Sequence, residues 1–347
     1  MSIAIWPSQH IRAAFARGEI AAAEPHEADQ VQPASLDLRL DARAYRVPAS
    51  FLPGPGRTVA QRLDDLATHE VDLSRPMVLE RNCVHIVPLQ ERLALPPGVS
   101  ARANPKSSSG RLDIFVRIIC DGGQTFDEIP EGYQGPLYAE VVPRSFPVIA
   151  AAGARLAQVR FREQVPGGPA ARQVSVSVDL DPEGKEGGVV GYRARRTSGL
   201  VDLARIGALS RADFWEPIVL QPDRRALVLD PDEFYILASA ESVVVGADEA
   251  AEMVAYDTAV GELRSHYAGF LDCGFGLAEA GGAGSRLVLE VRSHDVPFLL
   301  DHRQLIGTLV YEPMRERPDI LYGTSLGSNY QGQGLKLSKH FRAWEGG

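Results

Sequence analysis

Cysteine is scarce in this sequence. The 347 residues include only three, Cys83, Cys120 and Cys273, which lie far apart along the chain. A disulfide framework needs an even number of cysteines at suitable spacings, so this set argues against one. Scattered free cysteines are typical of proteins in a reducing compartment, and we expect such a compartment here.

Long apolar runs and an excess of positive charge are also missing. No run approaches the ~20 apolar residues that cross a bilayer, and the N-terminus lacks a charged segment followed by an apolar one. We therefore expect a cytoplasmic protein without a membrane partner. The formal net charge of -9 argues against a partner that is a nucleic-acid polymer, because such binders carry a basic face. A local basic pocket for a single nucleotide is compatible with this charge.

The strand signal, by contrast, is abundant. Hydrophobic residues make up 45% of the chain, which is enough for a packed core. Segments such as SLDLRL, LYAEVV and VSVSVDL alternate, and 24 prolines and 33 glycines divide the chain into short pieces. The pattern predicts a mostly β fold built from short strands, as a barrel or jelly roll. One short N-terminal helix is predicted, with Ser8 as its N-cap and Gly18 at its end.

An internal repeat indicates two copies of one β unit. Gap-free alignment of residues 138–161 with residues 288–311 places Glu140 on Glu290, 150 positions later. Alternating strands resemble one another to some degree, but a shared glutamate and proline in one ungapped alignment make chance the weaker explanation. The sequence therefore predicts two tandem β units.

The boundaries of these units follow from composition. Residues 1–180 are predicted to form the first unit with its N-terminal helix, and residues 198–347 the second unit with a C-terminal tail. The polar, glycine-rich stretch 181–197 is predicted to be a linker. A weaker match near the start of each unit aligns Asp37 with Asp202.

The segment NPKSSSGR, residues 104–111, combines three hydroxyl groups with two cations. Ser, Asn, Pro and Gly are common in turns for backbone reasons, so the local sequence leaves a polar loop and an anion site equally open. As an anion site, Ser107 and Ser108 would donate hydrogen bonds to a phosphate or to water. Arg111 would bind phosphate oxygens bidentately and Lys106 would act as a point charge.

Four segments, in this order, resemble the dCTP deaminase branch of the dUTPase superfamily. They are QPASLDLRL (32–40), KSSSGR (106–111), EGYQGPLYAE (131–140) and SNYQGQGLKLS (328–338). The doubled length is similar to a long, two-unit form of the family. The resemblance implies distorted, dUTPase-like β-barrels of the β-clip or jelly-roll type, self-association into trimer-type or higher assemblies, and sites at subunit boundaries. The implied reaction converts dCTP to dUTP and ammonia, with Mg2+ bound to the triphosphate and no zinc.

The same resemblance implies roles for individual residues. Glu140, at the end of EGYQGPLYAE, corresponds to the catalytic glutamate, and Tyr133 to the aromatic residue that lies under the deoxyribose. Ser107 and Arg111 would act beside the reacting atoms, and the tail would close over the bound nucleotide. The residues implied to bind substrate in the first unit and the tail are Lys106, Ser108, Ser109, Tyr133, Tyr330, Gln331 and Gln333.

The second unit resembles the family at a different place. VAYDTAVG (254–261) stands where the first unit has its serine motif, whereas FLDCGFG (270–276) is similar to the family's sugar-binding turn. In that comparison Asp272 contacts the 3'-hydroxyl of the sugar. Two arrangements are therefore open. Either the first unit is catalytic through Glu140, which the motif match favours, or the site is composite and takes Asp272, Phe275 and Glu290 from the second unit.

Deamination without a metal is chemically possible. The reaction needs a hydroxide equivalent at C4 and a proton for the leaving amine. Zinc deaminases use a Pro-Cys-x-x-Cys element for this purpose, but this sequence has no Cys-x-x-Cys and none of its cysteines follows a proline. A carboxylate whose pKa is raised by burial can serve both proton transfers. A dUTP diphosphatase, a bifunctional deaminase-diphosphatase and a non-enzymatic nucleotide-binding β protein are the alternatives.

Overall fold

The computed structural model describes residues 2–254, 263–266, 269–293, 295–324 and 330–342. Most of its regular structure is antiparallel β-sheet, which confirms the fold class predicted from the alternating segments. None of the described helices is long and apolar enough to cross a membrane.

The first half of the chain forms two larger sheets and part of a third. One contains β1-β13-β8-β10 with β3 beside β13, and another contains β5-β4-β7-β11-β9 with β2 beside β7. The strands of this half are β1 (Ser2–Ile5), β2 (Ile20–Ala22), β3 (Leu36–Arg39), β4 (Arg43–Val47), β5 (His69–Asp72), β6 (Met77–Leu79), β7 (Val84–Ala94), β8 (Val99–Pro105), β9 (Ile114–Cys120), β10 (Glu128–Ile129), β11 (Gln134–Pro143), β12 (Val148–Ala150) and β13 (Arg155–Val165).

The second half repeats these pairings. The order β25-β20-β22 follows β13-β8-β10, and β19-β23-β21 follows β7-β11-β9. Glu140 pairs with Ile86 on β7, and Glu290 pairs with Ile236 on β19. The strands of this half are β14 (Arg172–Ser177), β15 (Val189–Ala194), β16 (Val201–Asp202), β17 (Trp215–Val219), β18 (Ala226–Leu229), β19 (Phe234–Val243), β20 (Glu249–Val254), β21 (Leu263–His266), β22 (Phe270–Leu271), β23 (Ser285–Ser293), β24 (Phe298–Asp301) and β25 (Leu305–Pro313).

Helices are short and lie at the margins of the sheets. Gly18, at φ 74°, ends the N-terminal helix in the left-handed conformation that glycine tolerates, as predicted. The cap prediction for Ser8 is wrong, because Pro7 holds the N-cap position and the Ser8 hydroxyl donates to Asp319 instead. The described helices are α1 (Ser8–Arg17), α2 (Val59–Leu66) and α3 (Ser107–Gly110), with 3-10 turns at Glu186–Gly188, Arg211–Asp213 and Ala278–Ala280.

The predicted linker is not a linker throughout. Val189–Ala194, inside the 181–197 stretch, is a strand that pairs with β17 and β19. Arg172–Ser177, assigned by sequence to the first unit, pairs with β25 of the second. The polar composition of the stretch concealed the apolar residues Val190 and Ala194, which are both buried.

The alignment of Asp37 with Asp202 is also wrong. Asp37 lies on β3 opposite Gln158 of β13. In the second half, the strand that pairs with β25 in the same way is β14. Thr308 of β25 is the equivalent of Gln158, and it lies opposite Ser175 of β14, so Ser175 is the residue equivalent to Asp37. Short alternating strands match one another in sequence, and only their hydrogen-bonded partners separate equivalent from non-equivalent ones.

The two units share a buried aromatic cluster. Trp215, 1% exposed, lies at its centre with ring centroids 5.3 Å from Phe146, 6.0 Å from Phe234 and 5.9 Å from Phe341. Phe146 belongs to the first unit and the others to the second, so the rings pack the units against each other.

Replacing Trp215 by alanine is expected to lower the free energy of unfolding by about 3–5 kcal/mol, because the change removes a large buried ring and leaves a cavity. Denaturant unfolding followed by circular dichroism measures this change. Val228→Ala, at a position 51% exposed, is the control and should change stability by less than about 0.5 kcal/mol. A similar small change for Trp215→Ala would contradict a shared core.

Charged pairs also join the units, and two of these pairs link equivalent positions. Arg162 donates to Glu312 at 2.6 Å, and Arg102 Nη1 lies 3.3 Å from Glu252 Oε2. Each pair joins residues 150 positions apart, so the two copies face each other through matching strands. Identical copies would oppose like charges there, whereas the diverged copies place arginine on one side and glutamate on the other.

Candidate active site

A cavity of about 830 Å³ lies between the two units. Its volume falls in the range of pockets that enclose a small ligand. The first unit contributes the serine loop, which we define as Lys106–Arg111, and the second contributes the turn 270–276 and strand β23. Its polar and aromatic lining includes Asp37, Lys106, Ser107, Ser108, Ser109, Arg111, Arg155, Gln158, Asp272, Phe275, Glu290, Tyr322, Tyr330, Gln333, Lys339 and His340.

The serine loop is a tight turn at the end of β8. Lys106 is extended and its N–H donates to the carbonyl of Leu156 on the neighbouring strand β13. The following residues form the four-residue helix α3, in which Ser108 and Ser109 are buried and Ser107 is half-buried. This turn brings all three serines to the cavity.

Arg111 lies at the end of the serine loop and is 3% exposed. Its Nη1 donates to the carbonyl of Lys336 at 3.0 Å, and its guanidinium lies 3.9 Å from the centroid of the Tyr330 ring. The Nε atom is 4.0 Å from Oε1 of Glu290 and, among the described residues, has no hydrogen-bond partner. A buried donor without a partner is costly, so a ligand or water that accepts from Nε would stabilise this arrangement.

Glu290 comes from the middle of β23, between β19 and β21. Burial raises the pKa of its carboxyl well above the ordinary value, Arg111 lowers it and Asp113 raises it further. The raised pKa means that the carboxyl of Glu290 binds a proton more tightly than that of an exposed glutamate. A group with this property can accept and return a proton.

Asp272 lies on the turn 270–276 beside Phe275, and both line the cavity. Its Oδ1 accepts from Nη2 of Arg160 at 3.1 Å, and its Oδ2 accepts from the hydroxyl of Ser35 at 3.3 Å. Arg160 and Ser35 belong to the first unit, so contacts across the units fix this carboxylate. A carboxylate has about four lone-pair sites, and Asp272 therefore retains capacity to accept from a ligand.

The described part of the tail, residues 330–342, lies against the serine loop. The Ser338 hydroxyl donates to the carbonyl of Ser108, and Tyr330 is 8% exposed under Arg111. Gln331 does not line the cavity; its side chain donates to the carbonyls of Gly274 and Ala280 and accepts from the N–H of Gly276. It therefore attaches the tail to the turn.

Gln333 faces the cavity from the tail. Its Nε2 donates to the carbonyl of Arg286 at 3.1 Å, whereas its Oε1 is buried and has no hydrogen-bond partner within the described ranges. A buried acceptor without a partner is costly, so Oε1 is available to accept a hydrogen bond from a ligand.

Two family models match this chain. The model of the 2'-deoxycytidine 5'-triphosphate deaminase (DCD) N-terminal domain matches residues 2–165. The model of the DCD C-terminal domain matches residues 150–341, more than half of the chain. The chain belongs to the dCTP deaminase family. This finding confirms the resemblance carried by the four sequence segments.

Individual dCTP deaminases are similar as well. The dCTP deaminase of Halorubrum lacusprofundi is 29% identical over 152 residues, which are 43% of this chain and 72% of that protein. The dUMP-forming dCTP deaminase of Corynebacterium diphtheriae is 30% identical over 140 residues, 40% of this chain and 69% of that protein. A crystal structure of 2'-deoxycytidine 5'-triphosphate deaminase from Agrobacterium tumefaciens is 49% identical, with a TM-score of 0.85, and covers 90% of this chain and 100% of that one. The non-enzymatic alternative is therefore set aside, and the chain is a dCTP deaminase enzyme.

Within this dCTP deaminase fold, Glu140 does not line the cavity. It is 1% exposed on β11, opposite Arg117 of β9. Burial raises the pKa of its carboxyl, and a hydrogen bond with Ser50 lowers it. Tyr138, on the same face of β11, packs in a small cluster with Val59 and other residues of α2. That face of the first unit is therefore covered by its own chain.

Tyr133 likewise lies outside the cavity. It is 8% exposed within the main apolar core, its hydroxyl donates to the carbonyl of Pro136 at 2.6 Å, and it accepts from the N–H of Asp121. These contacts make it a core aromatic residue in the single chain. The stretch VAYDTAVG, which replaces the serine motif in the second unit, lies outside the described residues after Val254, as do Ser328 and Asn329 of the tail motif.

Sequence reasoning missed several lining residues of this dCTP deaminase. Asp37 lies inside the family segment 32–40, but the sequence of that segment does not indicate that it pairs with Lys106. Lys339 directly follows the tail segment 328–338, and its basic character beside Ser338 is a signal that the sequence contains. Arg155 and Tyr322 had no such signal, because their positions are brought to the cavity by strand pairing and loop path alone.

No group of three or more His, Cys, Asp or Glu side chains is close enough to hold a metal ion in the part of the chain that the structure describes. The three cysteines are free thiols and lie apart from one another; Cys120 and Cys273 are buried.

Proposed function

We propose that the cavity between the two units hydrolyses dCTP to dUTP and ammonia, with Glu290 as the proton carrier and without zinc. The supporting observation is the approach of Glu290 to Arg111: a carboxylate from the second unit lies 4.0 Å from the guanidinium that ends the serine loop of the first. The nucleobase would lie beside this pair. This is the composite arrangement, with Asp272, Phe275 and Glu290 facing the serine loop.

The proton transfers can be written with a single carboxylate. Glu290 takes a proton from water as the water oxygen bonds to C4, and delivers it to the ring nitrogen N3. It then takes the proton of the new hydroxyl and gives it to the amino nitrogen, so that the C4–N bond breaks and ammonia leaves. One water is consumed and Glu290 ends as a carboxylate. Ser107 and the Nε of Arg111 are the donors available to orient the water or the carboxylate.

Three cations, Lys106, Arg155 and Lys339, lie at another part of the cavity and are suited to bind the triphosphate. Lys106 and Arg155 both pair with Asp37. Burial lowers the pKa of Lys339, and the nearby charge of Lys106 lowers it further. An anion bound there would relieve this crowding of positive charge, and Ser108 and Ser109 lie on the same loop. Mg2+ would arrive as part of the nucleotide complex.

The pH dependence follows from the raised pKa of Glu290. Only its ionised form can accept the proton of water, so kcat/KM is expected to rise about tenfold per pH unit below that pKa and to level above it. Because the pKa is displaced upward, the plateau should begin above the ordinary carboxyl range of about 4 to 5. Initial rates of ammonia release between about pH 5 and 9 measure the profile. A rate that is constant across this range would contradict Glu290 as the base.

The reaction itself is tested by product analysis. Purified protein incubated with dCTP and Mg2+ should release ammonia and dUTP in equal amounts, and prior treatment with a zinc chelator should not reduce the rate. Activity that returns only on addition of zinc would overturn the proposed chemistry. The dUMP-forming name of the Corynebacterium diphtheriae relative favours one second candidate, a bifunctional deaminase-diphosphatase, and in that case dUMP and pyrophosphate would replace dUTP.

Self-association and a cytoplasmic location belong to the same proposal. The serine loop and Glu290 meet within a single chain, so this cavity does not need a second chain to bring them together. Light scattering after size-exclusion chromatography, combined with an activity assay of each peak, tests the trimer-type or higher assembly. A protein that stays monomeric at the concentrations of the assay would contradict self-association.

A further inference from the structure

Arg160 is a buried arginine that the reaction described above does not use. Its side chain is 1% exposed on β13 of the first unit, and its polar contacts are with the second unit. Nη1 donates to the carbonyl of Ala251 at 3.1 Å, and Nη2 donates to the carbonyl of Leu271 and to Oδ1 of Asp272. The guanidinium also lies 4.1 Å from the centroid of the Phe270 ring. Arg160 thus holds the strand that leads into the turn 270–276 and the carboxylate at its end.

The fold itself does not require arginine at this position. Arg160 lies opposite Arg102 in the pairing of β13 with β8, and Val310 lies opposite Glu252 in the matching pairing of β25 with β20. The equivalent residue of the second unit is therefore valine. A buried guanidinium carries a large desolvation cost that a valine avoids. The packing of the strand therefore does not explain why this position is arginine.

The contact of Arg160 with Asp272 explains the arginine. Arg160 itself does not line the cavity, whereas Asp272 does. Burial alone would favour the neutral acid at Asp272, which donates a hydrogen bond and does not accept one through that oxygen. Burial raises the pKa of Asp272 overall, the adjacent guanidinium lowers it, and the hydrogen bond from Nη2 of Arg160 fixes the position of Oδ1.

We propose that Arg160 is a positioning residue for substrate specificity, which fixes Asp272 as a hydrogen-bond acceptor for the 3'-hydroxyl of the nucleotide sugar. The inference rests on the proposed function and on the resemblance of the turn 270–276 to the family's sugar-binding turn, in which the aspartate contacts that hydroxyl. A site built around a fixed acceptor rejects an analogue that lacks the hydroxyl, because the buried acceptor is then left without a partner.

The test compares dCTP with 2',3'-dideoxy-CTP. The wild-type enzyme should favour dCTP in kcat/KM by at least about tenfold, a typical consequence of one lost hydrogen bond to a charged group. In Arg160→Met, kcat/KM for dCTP should fall by about tenfold or more while the value for the dideoxy analogue changes by less than about threefold. Arg160→Lys keeps the charge but not the planar fork, so it should recover part of the discrimination.

Arg162→Met is the matched control. Arg162 also lies on β13, and it pairs across the units with Glu312 and not with Asp272. Its loss should leave the preference for dCTP over the dideoxy analogue unchanged. An equal fall in kcat/KM for both nucleotides in Arg160→Met would show a merely structural role and overturn the inference. If Arg160→Met does not fold, the same comparison is made with Arg160→Lys, and an equal fall for both nucleotides again overturns it.

Binding separates this inference from the proposed reaction. Isothermal titration of the Mg2+ complexes of both nucleotides gives the affinity ratio without turnover. If the wild type releases no ammonia yet the ratio collapses in Arg160→Met, the positioning role stands and the proposed reaction fails. In a double-mutant cycle, Arg160→Met combined with Asp272→Asn should give little further loss of discrimination. Additive losses would overturn the inference.

Discussion

Replacing Glu290 by glutamine should lower the rate of ammonia release from dCTP by about 10³-fold, which lies within the usual contribution of a positioned acid-base group. Glutamine has nearly the same size and can still form hydrogen bonds beside Arg111, but it can neither accept the proton of water nor return it. The affinity for the Mg2+ complex of dCTP should stay within about threefold of the wild type, since the lost interaction acts in the transition state. Steady-state kinetics and isothermal titration measure the two quantities.

Glu140→Gln is the control for this variant. Glu140 occupies the equivalent position of the first unit, 150 residues earlier, and is also buried on a central strand. Because it lies away from the cavity, we expect turnover near the wild-type rate. The reverse result, with Glu140→Gln inactive and Glu290→Gln active, would restore the assignment favoured by the sequence motif and reject the composite site.

Arg111→Ala is expected to lower kcat for dCTP by about 10²-fold, the scale seen when one preorganised donor is removed from a catalytic site. The change removes the cation 4.0 Å from Glu290, so the pKa of the glutamate would rise further and less of it would be ionised near neutral pH. It also removes the contacts that the guanidinium makes with the Tyr330 ring and with the Lys336 carbonyl. Arg111→Lys keeps a charge without the planar fork and should recover only part of the rate.

As an anion site, the loop would use Arg111 to bind phosphate, whereas the proposed mechanism places Arg111 beside the base. The affinities for dCTP and deoxycytidine separate these two roles. If Arg111 acts beside the base, Arg111→Ala leaves the ratio of these affinities nearly unchanged, whereas Lys339→Ala reduces it. A variant with unchanged kcat and a large loss confined to dCTP affinity would return Arg111 to the triphosphate. Equal affinities of the wild type for dCTP and deoxycytidine would contradict a phosphate role for the whole serine loop.

Local patterns carried much of the prediction. Alternation of apolar and polar residues predicted the mostly β fold because side chains of a strand point to opposite faces with period two. The order of four motifs predicted the family, since each motif is contiguous and needs no knowledge of packing. The linker prediction failed in part because Val189–Ala194 lies in a glycine-rich, charged stretch, and strand pairing overrode its composition.

The sequence alone did not show which of the two aligned glutamates lines the cavity. Glu140 and Glu290 are aligned in the repeat and lie at matching places in matching sheets. They differ in what packs over them: α2 and the preceding segment cover the face of β11 that bears Glu140, whereas the serine loop and tail come over Glu290. Arg160 is a similar case, because its partner Asp272 is 112 positions away.

By itself, then, the sequence determined the strand-rich fold and the family. It also determined the residue types of the serine loop, the turn 270–276 and the tail, since each of these features is encoded in a few consecutive residues. Only the tertiary structure decided which carboxylate faces the serine loop, which cations surround Asp37 and which side chain holds Asp272. The physical reason is distance along the chain: these contacts join two units that meet only after folding, and a hydrogen bond or ion pair acts over a few ångströms of space irrespective of separation in sequence.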